Sequence, residues 1–218
     1  RDRNLPITIL IGGGTYRLGK PIVFEPEDSG TPQFPVTYAA YSGEVPVLSG
    51  GTRLTGWKET SLNSQRAWVT EAPDFAFHQL WVNDQRRYRP RLPKNGLYAI
   101  KGIAPERAQH DFCSGDREFY VEPGQVLNWE NLDDVEIVAL TAWVESRLPV
   151  ESVDEQSGLV KTRLRSALTL ANGAPFYVEN VFSALDAPGL WYHHRKAGKI
   201  YYLPLPEERL DTADIVVP

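Results

Sequence analysis

The sequence holds no methionine and a single cysteine, Cys113, among its 218 residues. One thiol excludes an internal disulfide and leaves the redox compartment undecided. A chain that starts at Arg1 and has no Met is expected to be a processed product or a fragment. Long apolar runs are missing as well: no stretch approaches a membrane-spanning length, and no signal peptide is visible. A large charge of either sign is also lacking, and a formal net charge of −5 argues against nucleic acid or an anionic membrane surface as partner. Helical periodicity is scarce. The best candidates, Pro105 to Gln109 and Asn180 to Leu185, amount to about one turn each.

What is present is β-forming and aromatic. With 42% hydrophobic and 11% aromatic residues the chain can bury a core, as one large all-β domain or two smaller units. Short β runs at Ile7–Ile11, Ile22–Phe24, Val36–Tyr38 and Val45–Leu48 alternate with turn-rich blocks such as Gly12-Gly13-Gly14 and Pro26 to Gly30. Their spacing of roughly ten residues suits a sandwich or the coils of a β-helix. From Thr52 onward the runs lengthen. Asp133 to Trp143 reads as a long strand with Arg147 to Val150 as its neighbour, and Val153 to Val160 reads as a hairpin turning at Gly158. Phe176 to Val181 forms a further run. Trp191-Tyr192 and Ile200 to Tyr202 read as a hairpin joined across Lys196 to Lys199.

Several stretches carry a family resemblance. Tyr177-x-Glu179-Asn180, Leu185-Asp186-x-Pro188-Gly189-x-Trp191-Tyr192 and Gly198-x-x-Tyr201-Tyr202-x-Pro204 resemble a signature of bacterial right-handed parallel β-helix carbohydrate-active enzymes. The likeness is to glycoside hydrolases of the β-xylosidase and α-fucosidase/xylanase type. Gly13-Gly14-Thr15-Tyr16-x-Leu18, Pro26-x-Asp28-Ser29-Gly30-Thr31 and Ser49-Gly50-Gly51 match their opening coils. Gln79 to Asp84, running into Arg86 to Pro93, is similar to a further strand of that family, with Asp84 in place of the usual turn glycine. Leu190 stands where the family commonly has Glu, and His194 where it commonly has Asp. The resemblance implies an all-β fold in which a β-sandwich is inserted into the opening coils of a right-handed parallel β-helix, the helix being truncated. It implies coils over residues 1–51, the inserted sandwich over 52–205 and a return strand over 206–218.

Candidates for chemistry are few. Glycoside hydrolysis needs two carboxyl groups about 5 to 9.5 Å apart. Asp28, Glu179 and Asp186 lie in the family-like motifs, but turn formation accounts for the two aspartates and an arginine partner such as Arg91 for Glu179. The resemblance puts the catalytic acids on later coils, beyond the end of this chain, so no catalytic residue is assigned. His193 and His194 point to opposite faces of a strand, which disfavours one shared metal, and His78 and His110 are isolated. No metal or cofactor is called for. Cys113 reads as a buried, inert thiol. Among the tryptophans, Trp81, Trp143 and Trp191 sit in apolar runs and are expected in the core. Trp57, Trp68 and Trp129 lie beside polar or turn residues; with His193 and His194 they are the candidates for carbohydrate binding.

Three readings follow. The first is a non-catalytic N-terminal or accessory portion of a polysaccharide-degrading β-helix glycoside hydrolase, shaping the substrate cleft or a subunit contact. The second is a stand-alone carbohydrate-binding module, and the third a structural or assembly domain. For the intact protein, polysaccharide lyase competes, because fold alone does not choose between the chemistries. The expected partners are a polysaccharide or oligosaccharide and, through the truncated helix face, a second copy in a homo-oligomer. The expected location is extracellular or periplasmic.

Overall fold

A computed structural model describes residues 5–103 and 111–218. His110 and the helical turn expected at Pro105 to Gln109 lie outside the described residues. The described residues are all-β, broken only by short 3-10 turns, and none of their helices is long and apolar enough to cross a membrane. The chain divides into two compact units, residues 1–53 with 216–218, and residues 54–215.

In the first unit β1 (Ile7–Ile11) runs parallel to β3 (Val36–Ala40), and β2 (Gly14–Arg17) runs parallel to β4 (Pro46–Ser49). Parallel partners need a long crossover, and here the intervening chain supplies it. Part of that crossover is a 3-10 turn over Pro26–Asp28, where Asp28 Oδ2 accepts from the Glu25 amide at 2.9 Å. Asp28 therefore has the turn-building role expected of it. The run Ile22–Phe24 is not a strand, contrary to expectation: it belongs to this crossover and finds no ladder partner among the described residues. β5 (Thr52–Arg53) pairs antiparallel with the end of β20 (Ile215–Val217).

The second unit is antiparallel. A four-stranded sheet has the order β18-β19-β7-β6, built from β6 (Lys58–Leu62), β7 (Gln65–Glu71), β18 (Trp191–His194) and β19 (Lys199–Tyr202). Asn63 and Ser64, both at positive φ, close the hairpin between β6 and β7. Asn83 and Asp84 do the same between β8 (Leu80–Val82) and β9 (Gln85–Arg87), so aspartate does take the left-handed turn position. The larger sheet has eight strands: β10 (Arg91–Leu92), β11 (Tyr98–Ala99), β12 (Gly102–Ile103), β13 (Glu118–Tyr120), β14 (Glu136–Leu140), β15 (Glu145–Asp154), β16 (Leu159–Thr162) and β17 (Pro175–Glu179). β15 pairs with β14 along its first half and β16 along its second, with an irregularity between Val150 and Ser152 where it bends. The two ends of the sheet consequently contribute to one core cluster, including Phe119, Ile137, Leu148, Val160, Phe176 and Val178. Gly158, at φ +76°, turns the β15–β16 hairpin; a side chain there would meet the Val121 carbonyl at 2.2 Å.

Strand alternation sets up everything nearby. On β17, Phe176 and Val178 enter the core while Tyr177 and Glu179 take the other face. On β18, Trp191 and His193 stack on Phe77, with ring centroids 5.4 and 5.2 Å away, whereas Tyr192 and His194 share the opposite side, 5.7 Å apart.

Candidate functional site

β14 and β17 place Glu136 directly opposite Glu179. Two like charges in register repel unless cations intervene. Arginines from three elements do so. The Nη2 of Arg89, which lies just before β10, donates to Glu136 Oε2 at 2.7 Å and also to Glu179. Arg147, on β15, reaches Glu179 Oε2 at 2.6 Å, and Arg195, just after β18, reaches Glu136 Oε1 at 2.8 Å. His78 Nδ1 stands 3.4 Å from Glu136 Oε2. Glu136 is only 1% exposed, and burial alone would raise its carboxyl; His78 and Arg89 outweigh this and hold it well below the usual carboxylate range. Burial acts against the Arg147 charge, and Glu179 more than restores it.

Arg195 links this buried cluster to an open cleft of about 390 Å³. One wall is aromatic, with Phe182 from the 3-10 turn Phe182–Ala184 lying 4.9 Å between centroids from Tyr192. Behind it, Asp134 Oδ2 accepts from the Tyr192 hydroxyl at 2.7 Å, and Oδ1 from the Arg195 amide at 3.3 Å. Burial, then Asp134, pushes the Tyr192 hydroxyl far up, so it stays a donor. His194 also lines the cleft; its Nδ1 is buried without a hydrogen-bond partner, 3.8 Å from Asp134 Oδ2. Asn180 fastens these pieces together from a left-handed conformation, φ +64°. Its Nδ2 donates to the Asp134 and His193 carbonyls at 3.0 and 3.2 Å, and its Oδ1 accepts from the His193 amide.

No family model matches the chain, and no curated protein matches it. A solved structure described as a glycoside hydrolase does match, with a TM-score of 0.76 and 28% identity. The fold is glycoside hydrolase-like. The match covers 98% of this chain and 38% of that one. Within this glycoside hydrolase-like fold Glu136 is unsuited to the role of general acid. A general acid needs a raised pKa, and Glu136 is held ionised by guanidinium groups.

The sequence candidates scatter. Trp68 is wholly buried, not surface-exposed as its polar neighbours suggested, because both faces of β7 are covered there. Trp57 and Trp129 are half-buried; the Trp57 indole donates to the Leu54 carbonyl at 3.2 Å, and Trp129 packs on the main core cluster. His193 is enclosed against Phe77, and burial, then Arg195, pushes its pKa down to about 4. Of the five, only His194 lines the cleft. Two core expectations also fail: Trp143 is 81% exposed, in edge contact with Phe112, and Cys113 is exposed. Trp191 is in the core as expected, while Trp81 is half-buried. Asp186 pairs with Lys94, and Glu179 with Arg89 and Arg147 rather than Arg91. Among the described residues no group of three or more His, Cys, Asp or Glu side chains is arranged to hold a metal.

Proposed function

We propose that this chain is a non-catalytic accessory portion of a polysaccharide-degrading protein of the glycoside hydrolase type. Residues 1–51 are its opening right-handed parallel β-helix coils, 52–205 its inserted β-sandwich and 206–218 the returning strand. The observation that carries this reading is the likeness spanning 98% of the chain. The two parallel ladders of the first unit support the coil assignment, since stacked coils repeat such pairings. The ionised, arginine-locked state of Glu136 supports the non-catalytic one. Apolar side chains of the first unit such as Val23, Phe24 and Val45 stand uncovered, as they would where a next coil or a second copy of the chain packs on them. Polysaccharide substrates make the location extracellular or periplasmic. The exposed Trp143–Phe112 pair favours a second reading, a stand-alone carbohydrate-binding module that offers these rings as a platform.

The test compares the 218-residue chain with a longer protein that carries it, on aryl glycosides and plant polysaccharides. The accessory reading expects binding without hydrolysis from the chain and hydrolysis from the longer protein. Hydrolysis by the chain alone would overturn it. Binding without hydrolysis by both would favour the binding module.

A further inference from the structure

We infer that the cleft between the 3-10 turn Phe182–Ala184 and the end of β18 is a subsite for a neutral sugar unit with adjacent free hydroxyls. This rests on the carbohydrate reading above and narrows it to a place and a ligand class. A volume of about 390 Å³ suits a small ligand. Phe182, backed by the fully buried Tyr192 ring, gives an apolar wall for the C–H face of a sugar ring.

The polar groups decide the class. Most lining charges are already satisfied inside the protein: Asp133 by Arg163, Asp134 by Tyr192 and the Arg195 amide, Arg195 by Glu136. Two lining groups are left without a hydrogen-bond or ion-pair partner among the described residues, the Glu130 carboxylate and the Lys196 ammonium. The buried Nδ1 of His194 lacks a hydrogen bond and has only its 3.8 Å approach to Asp134 Oδ2. Glu130 only accepts, and Lys196 only donates. A hydroxyl does both, so a pair of hydroxyls can donate to the carboxylate and accept from the ammonium. A ligand carboxylate or phosphate would instead set its charge beside Glu130, Asp133 and Asp134, with Lys196 as the sole unpaired cation of the lining. The orphan Nδ1 of His194 is 3.8 Å from Asp134 Oδ2, so a small ring movement on ligand binding completes that bond.

The experiment titrates the 218-residue chain with cellobiose, xylobiose and digalacturonate while following histidine imidazole NMR signals. His194 is assigned through His194→Gln and compared with His78. The expected result is that a neutral disaccharide shifts the His194 signals and leaves those of His78 in place. Lys196→Ala, at an exposed position, weakens binding on the order of tenfold, and Phe182→Ala at least as much. Should Phe182→Ala fail to fold, Lys196→Ala still decides. Tighter binding of digalacturonate would overturn the neutral-sugar assignment. Neutral sugar binding that leaves His194 unmoved would overturn the cleft while the carbohydrate reading stands. If none of the three binds, the subsite is overturned, and hydrolysis by the longer protein then decides the broader reading separately.

Discussion

The two units solve the same problem unequally. In the first, every strand of the parallel ladders has hydrogen-bond partners, yet no residue from 5 to 53 is buried, and Phe24 and Val45 are 61% and 77% exposed. In the second, a bent sheet closes over a continuous cluster and an arginine–carboxylate lock seals its outer face. Backbone pairing alone contributes little net stability, because water competes for the same groups; burial of apolar surface supplies most of it. The first unit thus rests on backbone pairing with its apolar side chains exposed, while the second carries its own core.

Truncating a ring in each unit is the strongest way to break that comparison. Phe176→Ala, in the main cluster, is expected to cost about 3–5 kcal/mol in denaturant unfolding. Phe24→Ala, in the first unit, is expected to stay within about 0.5 kcal/mol, as for exposed sites generally. A loss at Phe24 comparable to that at Phe176 would mean that the first unit is covered in solution, for instance by a second copy of the chain. The Phe24 effect would then grow with protein concentration.

The lock offers the next test. Arg89→Met removes the guanidinium shared by Glu136 and Glu179 and leaves two facing carboxylates in a buried site. The expected cost is about 3 kcal/mol or more, since it strands buried charge. A double variant that also converts Glu136 to Gln is expected to recover part of it, a non-additivity that a purely steric role for Arg89 would not produce.

How much of this was legible beforehand follows from the range of the forces involved. Local pattern was enough for β1 at Ile7–Ile11, for the β18–β19 hairpin and for the opposed faces of His193 and His194, all of which depend on neighbours in sequence. Trp143 was misread because the apolar run Val135 to Trp143 outlasts its strand. β14 ends at Leu140, and Trp143 lies in the turn closed by the Thr141 amide and the Val144 carbonyl at 3.0 Å. Trp68 was misread the opposite way, since polar neighbours say nothing about whether a second layer covers a strand. Of the lock, only an arginine partner for Glu179 was legible. Glu136, Glu179, Arg89 and Arg147 meet through the registers of β10, β14, β15 and β17. Even Arg91, opposite Glu179 in register, lays its guanidinium over the Tyr177 ring at 4.1 Å instead.

Acid sharpens the contrast between the units, since the buried titratable groups described here lie in the second. His193 is neutral in the folded state, with its pKa pushed down to about 4 by burial and then Arg195, against 6.5 for the free side chain. Between these values the unfolded chain binds a proton that the folded chain refuses, so stability falls as pH drops through this window. Above pH 6.5 the contribution is fully present; below about 4 no more is lost from this group. The span corresponds to on the order of 3 kcal/mol. Glu136 acts in the same direction at lower pH, its depressed carboxyl giving up stability once the solution falls below the ordinary carboxylate range. His193→Phe keeps a ring against Phe77 and removes the titration. Its unfolding free energy is expected to be nearly flat between pH 6.5 and about 5, where the parent chain slopes, with both declining in stronger acid as Glu136 protonates. A variant retaining the parent slope would mean that another group titrates in that window, and the acid sensitivity of the second unit would have to be assigned away from the Phe77–His193 stack.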